Sequence, residues 1–390
     1  MVHSSAGYVQ EVRRRVCENT GVPEDRILVC ATHTHSGPDL ESPLPCIAEY
    51  KKLYVEAFVD AAEEALADLA PAKLFGASTE TENMAYVRHY LMDDGTYARV
   101  ASNGRSVVRH ACKSDQEILI TKLEREEKPS ILMINYQVHP TAHGGATKPD
   151  ISGDFIYNLR EYMEATTGMH FAYFTGAAGN QTVGTRIPEE GEKLTSDQLK
   201  KFGGCNPLIY AWRMAQYIAA ALPKLKEIPF DGIFTQRLYF DQPVCHDDAH
   251  LLDVAIKVRE IFESDIPDAA NIAREYGKER GISSVYHAGA IRARAKRPQT
   301  QKMELNAVRI GRFAFGTFPF ETFRTTGVYG KAHSPFPITM VFSCANEHWS
   351  YLPTAEAFDY GCYESSISYF ARGAAEAASE KMTEMLKSLL

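Results

Sequence analysis

The chain has 390 residues, of which 45% are hydrophobic and 24% charged, and its formal net charge at pH 7 is −8. That length supplies a large core, while the acidic balance argues against nucleic acid, whose phosphates must be gripped by clustered Lys and Arg. Eight scattered cysteines without a CxxC pair read as reduced thiols and point to the cytoplasm; no leader-like segment opens the chain, and no apolar run approaches the roughly 18–20 residues of a membrane span.

Residues 8–19 carry Val9, Val12 and Val16 at helical spacing and stop at Asn19, Thr20 and Gly21, which predicts a helix with its C-terminus there. The helix feeds "RILVCA", a predicted strand that runs into "ATHTHSGPD", residues 31–39. On an extended backbone the period of two places His33 and His35 on one face, so that both imidazoles enter one site. Such a pair at a strand end suits Zn²⁺; the alternative is two hydrogen-bonded loop histidines. Glu49–Leu69 reads as a longer helix with Leu53, Phe58, Ala62, Ala65, Leu66 and Leu69 on its buried side, closed by Pro71.

Further strands are predicted over 130–138, 170–176, 306–318 and 337–345, and further helices over 155–166, 207–223, 249–280 and 368–389. Several strands are near-continuous apolar runs, which implies sheets covered on both faces and an α/β fold of mixed sheets flanked by helices. One domain spanning 1–390 accounts for the pattern, with 246–301 as a helical insertion. The basic run "RARAKRP", residues 292–298, reads as a solvated helix end or loop.

Ligands of open α/β folds gather at strand ends, where polar residues follow apolar runs. His139 ends "MINYQV", and Pro140 after it stops the strand. The small-residue turn "TGAAGNQ", residues 175–181, serves either tight packing or an oxyanion through its N–H groups. Glu321 stands between Phe320 and Phe323 in "GTFPFETF", and either faces solvent or binds something positive. "CANEHWSYLPT" supplies Asn346, Glu347, His348 and Tyr351, among which the pattern does not choose.

These motifs carry a resemblance. "ATHTHSGPD", "INYQVHPTAHGG", "FAYFTGAAGNQ", "GTFPFETF" and "ANEHWSYLPTAEAFDYGCYESS" are similar, in order and rough spacing, to motifs of the neutral/alkaline non-lysosomal ceramidases, and "VRHYLMDDGTY" to a segment of bacterial ceramidase-like members. The resemblance spans nearly the whole chain. It implies the ceramidase catalytic-domain fold, without the C-terminal immunoglobulin-like domain, and a Zn²⁺ held by His33, His139, Glu321 and Tyr351. It further implies that His35 assists catalysis beside the metal and that Arg88 contacts substrate or the oxyanion. Gly179, Asn180 and Thr182 fall on the turn that faces substrate. Asn180 and Thr182 depart from the aspartate and serine of the ceramidase GD-x-SPN turn, and "GPDL" from its GPGG turn, so a serine acyl-enzyme and ceramide itself are not expected. The expected activity is therefore metal-assisted hydrolysis of an amide or ester in a small, acylated molecule of lipid metabolism; the alternative is a metal- or ligand-binding homologue that has lost the reaction. Family members begin with strands upstream of the first helix, so the resemblance implies that a native segment is missing before residue 1, and it leaves open whether that segment includes a signal peptide.

Overall fold

The computed structural model describes residues 5–38, 40, 45–98, 106–144, 150–184 and 205–390. Alternation along the strand Ile131–Tyr136 shows how the layers arise. Leu132, Ile134 and Tyr136 point into a core shared with Phe155, Leu159, Tyr210 and Met214 of the helices Asp154–Thr167 and Pro207–Ala221. Asn135 points the opposite way, where its Nδ2 donates to Phe174 O and Val341 O, both at 2.9 Å. Period-two alternation thus gives one strand a helix-facing side and a sheet-facing side.

That strand lies in a five-stranded sheet ordered Lys226–Ile228, Ala72–Glu80, Glu117–Arg125, Ile131–Tyr136, His170–Thr175. A four-stranded sheet is ordered Ile233–Pro243, Thr300–Ile310, Phe313–Thr317, Ile338–Phe342. The two sheets meet face to face through Leu74 and Leu119 on one side and Phe313, Met340 and Phe342 on the other. Phe342 stacks on Phe174 with ring centroids 4.2 Å apart and on Phe315 at 4.7 Å. The helix Ala374–Ser388 seals the outer face of the second sheet with Ala378, Met382 and Leu386 against Met303, Leu305 and Ala314. The order of layers is helix, sheet, sheet, helix, a mixed α/β fold with sheets buried on both faces.

Several elements differ from the sequence reading, each for a local reason. The run 306–318 is not one strand: Gly311, at φ 58°, turns Thr300–Ile310 back antiparallel onto Phe313–Thr317. The helical stretch after residue 249 is broken into Leu252–Phe262, Ala269–Lys278 and Val285–Arg294, and Pro267 lies in the first break. In the helix Pro45–Ala67 the buried stripe runs through Tyr54, Val55 and Val59, which pack on Val9, Val12 and Val16 of the helix Ala6–Thr20. Leu53, Leu66 and Leu69 are exposed, because the partner helix covers a face rotated away from them. The last helix starts at Ala374 rather than 368.

Two pairs of parallel strands position the site. Ile131–Tyr136 runs parallel to His170–Thr175, and Phe313–Thr317 parallel to Ile338–Phe342. Ser343 N donates to Thr175 O at 2.9 Å, which ties the carboxyl ends of the two pairs together. The loops leaving those ends carry His139, the 176–181 turn, Glu321 and the segment 344–351.

Candidate metal centre

The histidine motif does not sit on a regular strand. Around it, Cys30 makes an isolated bridge to Ala345, Ala31 N donates to Cys344 O, and His33 is left-handed at φ 66°. Cys344 and Asn346 also have positive φ, at 54° and 64°, so the two segments cannot extend their ladder. His33 and His35 are therefore not brought together by simple alternation. The turned backbone still sets their rings 4.9 Å apart at 86°, and His139 lies 4.8 Å from His33 and 5.5 Å from His35. One nitrogen from each of the three imidazoles lies within 4.8 Å of the others. Asp39 of the motif lies outside the described residues.

Glu321 closes this cluster. Its Oε2 lies 2.9 Å from His139 Nε2 and 3.2 Å from His33 Nε2, and its Oε1 3.3 Å from His348 Nε2. The backbone delivers it by a short parallel pairing, Glu321 with Tyr351 and Thr322 with Leu352. Tyr351 OH stands 3.4 Å from His139 Nε2 and accepts from Arg88 Nη2 at 3.0 Å. Arg88 also donates to Gly179 O at 2.8 Å and, through Nε, to Glu364 Oε1 at 2.8 Å. All five expected residues, His33, His139, Glu321, Tyr351 and Arg88, are thus brought to one point, with His35 beside them.

The hydrogen bonds show what the cluster suits. His139 Nδ1 donates to Ala178 O at 2.5 Å and Gln181 O at 3.0 Å, so the neutral ring turns a lone pair toward the Glu321 carboxylate. Burial, then the Arg88 charge, pushes the His139 pKa down to about 4, which keeps that ring neutral at pH 7. Two facing lone pairs 2.9 Å apart call for a proton or a cation between them. Burial alone would raise Glu321, but the charge on His33 and the hydrogen bonds from His33 and His348 hold its carboxyl well below the usual range. His35 is pushed down to about 2 by burial and then by His33 and His139, and its buried Nε2 has no hydrogen-bond partner among the described residues. Neutral His35 and His139 beside an ionised carboxylate, with His33, whose pKa Cys344 and Glu321 raise against burial, form a donor set that fits a divalent metal taking the place of the His33 proton.

The 176–181 turn acts first through packing. Gly176, Ala178, Gly179 and Gln181 donate their N–H groups to Tyr136, Gly176, Thr322 and Ala178 carbonyls, so these four are not offered to an oxyanion. A Cβ on Gly179 would stand 2.4 Å from Glu321 O, which explains glycine there. Asn180 Oδ1 accepts from Arg324 N at 2.8 Å, and Thr182 Oγ1 pairs with Thr141 Oγ1 at 3.2 Å.

Glu364, His89 and Cys362 were not singled out by the sequence. Glu364 is fully buried and links Arg88 to His89, whose Nε2 lies 2.7 Å from Glu364 Oε2; His89, Cys362 and Glu364 form a second group able to hold a metal. His348 was one of four undecided residues and proves to touch Glu321. For Glu364 no local signal exists: "CYESS" reads as a polar turn, and its burial depends on Arg88 arriving from far along the chain.

The chain is thus a double-sheet α/β fold with a histidine–carboxylate cluster at its strand ends. No protein-family model and no curated relative matches this chain. Among solved structures it is similar to the neutral ceramidase from Pseudomonas aeruginosa, with a TM-score of 0.69 and 16% identity over 100% of this chain and 65% of that one. It is similar also to a ceramidase complexed with C2, with a TM-score of 0.69, 15% identity and 66% of that chain covered. The fold is ceramidase-like, and the chain spans a little under two thirds of the length of these structures.

Proposed function

We propose that this chain is a zinc-dependent hydrolase that cleaves an amide bond, or the corresponding ester, in an acylated small molecule. The observation that carries the reading is the meeting of His33, His139 and Tyr351 around Glu321, with an unpartnered His35 Nε2 at the same point. His33, His139, Glu321 and Tyr351 would hold the ion. Bound Zn²⁺ supplies Lewis acidity toward a carbonyl and makes water a competent nucleophile near pH 7.

The chain's own residues account for the rest of the step. Arg88 fixes the Tyr351 phenol and brings a positive charge to where the carbonyl oxygen gains negative charge. His35 Nε2 takes up the proton that the attacking water releases as the C–O bond forms and passes it to the leaving nitrogen as the C–N bond breaks. Gly179, Asn180 and Thr182 hold Glu321, Arg324 and His139 in register at the substrate wall. The side-chain oxygens of Asn180 and Thr182 are engaged with protein groups, which supports attack by water rather than by a side-chain nucleophile. Eight unpaired cysteines support a reducing, cytoplasmic setting, and no described helix is long and apolar enough to cross a membrane.

The same Asn180 and Thr182 favour a second reading, a metal-binding homologue without turnover. Metal analysis of the purified protein, with hydrolysis assays on N-acyl amines, lactones and short esters, separates the two. Stoichiometric zinc and turnover, both lost in His33→Ala, are expected. Zinc without turnover selects the second reading, and no transition metal, or turnover unchanged in His33→Ala, refutes the first.

A further inference from the structure

His348, whose Nε2 lies 3.3 Å from Glu321 Oε1, also lines a cavity of about 730 Å³. Four cations, Arg259, Arg292, Lys296 and Arg297, line it against the one carboxylate of Glu347. In a chain of net charge −8 this is a local reversal of sign. It is also where the basic run 292–298 goes, so that run is not merely a solvated helix end.

The cations come from more than one element. Arg259 lies on the helix Leu252–Phe262, Arg292 in the last turn of Val285–Arg294, and Lys296 and Arg297 just beyond it. A helix C-terminus favours cations, and Arg259 and Arg292 each lie in the last turn of their own helix, Arg259 ion-paired there with Glu263; Lys296 and Arg297 lie beyond the helix end. Arg297 lies over the rings of Trp349 and Tyr369, 4.5 and 4.9 Å from their centroids, and its buried Nε has no hydrogen-bond partner among the described residues. Arg292 and Lys296 have no ion-pair or side-chain hydrogen-bond partner among the described residues. The carboxylate of Glu347 is engaged by Trp349 Nε1 at 2.6 Å. With Arg259 paired to Glu263 and Arg297 donating to the neutral amide of Gln301 at 3.3 Å, the positive charge left without a carboxylate partner among the described residues is that of Arg292, Lys296 and Arg297.

The wall is shared with the candidate metal centre. Ser350 lines the cavity and its O accepts the Glu321 N–H at 3.0 Å, while His348 touches the carboxylate of the same residue. We propose that the cavity is an anion subsite of that centre, taking a carboxylate or phosphate group carried by the substrate. This rests on the amide-hydrolase reading above, and it names the substrate class as N-acyl conjugates with an anionic head. Guanidinium groups bind such heads through charge-assisted hydrogen bonds, and Lys296 adds a point charge.

The test reads binding rather than turnover. The chain has two tryptophans, and Trp212 is exposed on the helix Pro207–Ala221, so Trp212→Phe protein leaves Trp349 as the reporter. Its fluorescence is titrated with N-dodecanoylglutamate, with neutral N-dodecanoylethanolamine and with inorganic phosphate. A saturable change with the acyl glutamate is expected, tighter than with phosphate and absent with the neutral amide. Arg292→Gln and Lys296→Gln should each weaken it by about tenfold, whereas Lys381→Gln, exposed on the last helix, should not. Equal response to the neutral amide, or indifference to both cavity variants, overturns the proposal; phosphate binding as tightly as the acyl glutamate overturns the substrate subsite. The same response in His33→Ala protein supports the subsite even if the hydrolase reading fails.

Discussion

Glu321 reaches the cluster only because the backbone beside it has no side chain. Gly179 N donates to Thr322 O at 2.8 Å, and an added Cβ would meet backbone atoms of Glu321 and Thr322 rather than a side chain able to swing away. Gly179→Ala should therefore lower stability by about 1–3 kcal/mol through overpacking, and, on the proposed reading of the site, should also weaken metal retention, since Glu321 must shift. Thermal melts and metal content after dialysis check both; values equal to the parent protein would refute this account. At this scale the sequence was most informative where a polar residue ends an apolar run, as at His33, His139 and Glu321. It was silent at Glu364 and His89, because their burial is made by contacts between segments far apart in the chain.

Among the elements, the first helix is fixed to the second sheet by a buried ion pair. Arg13 donates to both oxygens of Glu304, at 3.0 and 2.7 Å, and Asn306 and Asn346 donate to Glu304 Oε1 at 2.9 and 3.0 Å. Asn346 in turn accepts from Val29 N, so the strand segment before His33 is tied to the same carboxylate. Burial would raise the Glu304 pKa, but Arg13 and the asparagine donor outweigh it and the carboxyl is lowered. A carboxyl lowered in the folded state gives stability that is fully present above its unfolded pKa, about 4.3, and lost as pH falls through the lower folded value. Glu304→Gln, which strands a buried Arg13, should cost about 3–5 kcal/mol at pH 7. The difference from the parent should shrink below about pH 4.3. Denaturation curves between pH 3 and pH 7 would show this, and a gap independent of pH would exclude Glu304 as the titrating group. Element types were readable from period and turn chemistry, but not all their ends: the apolar run through Gly311 hid a hairpin, and helical periodicity on both sides of Pro267 hid a break.

For the whole molecule, the decisive contact is between the two sheets. Phe342 stacks between Phe174 and Phe315, one from each sheet, just before the segment that carries Tyr351. Phe342→Ala should cost about 3–5 kcal/mol and, unlike an equally costly change on an outer helix face, should also loosen metal binding. Comparison with Met214→Ala, in the outer core of the first sheet, tests that distinction; equal zinc affinity in the two variants would count against it. The sequence indicated layered, doubly covered sheets flanked by helices, yet not which strands pair within each layer. Pairings such as Ile233–Pro243 with Thr300–Ile310 span the helices between them and leave no short-range mark. Glu321 and the three side chains grouped around it come from positions 33, 139, 321 and 351, widely separated along the chain. During synthesis the early histidines leave the ribosome long before their carboxylate and phenol partners, so the proposed centre cannot assemble until residue 351 has been made.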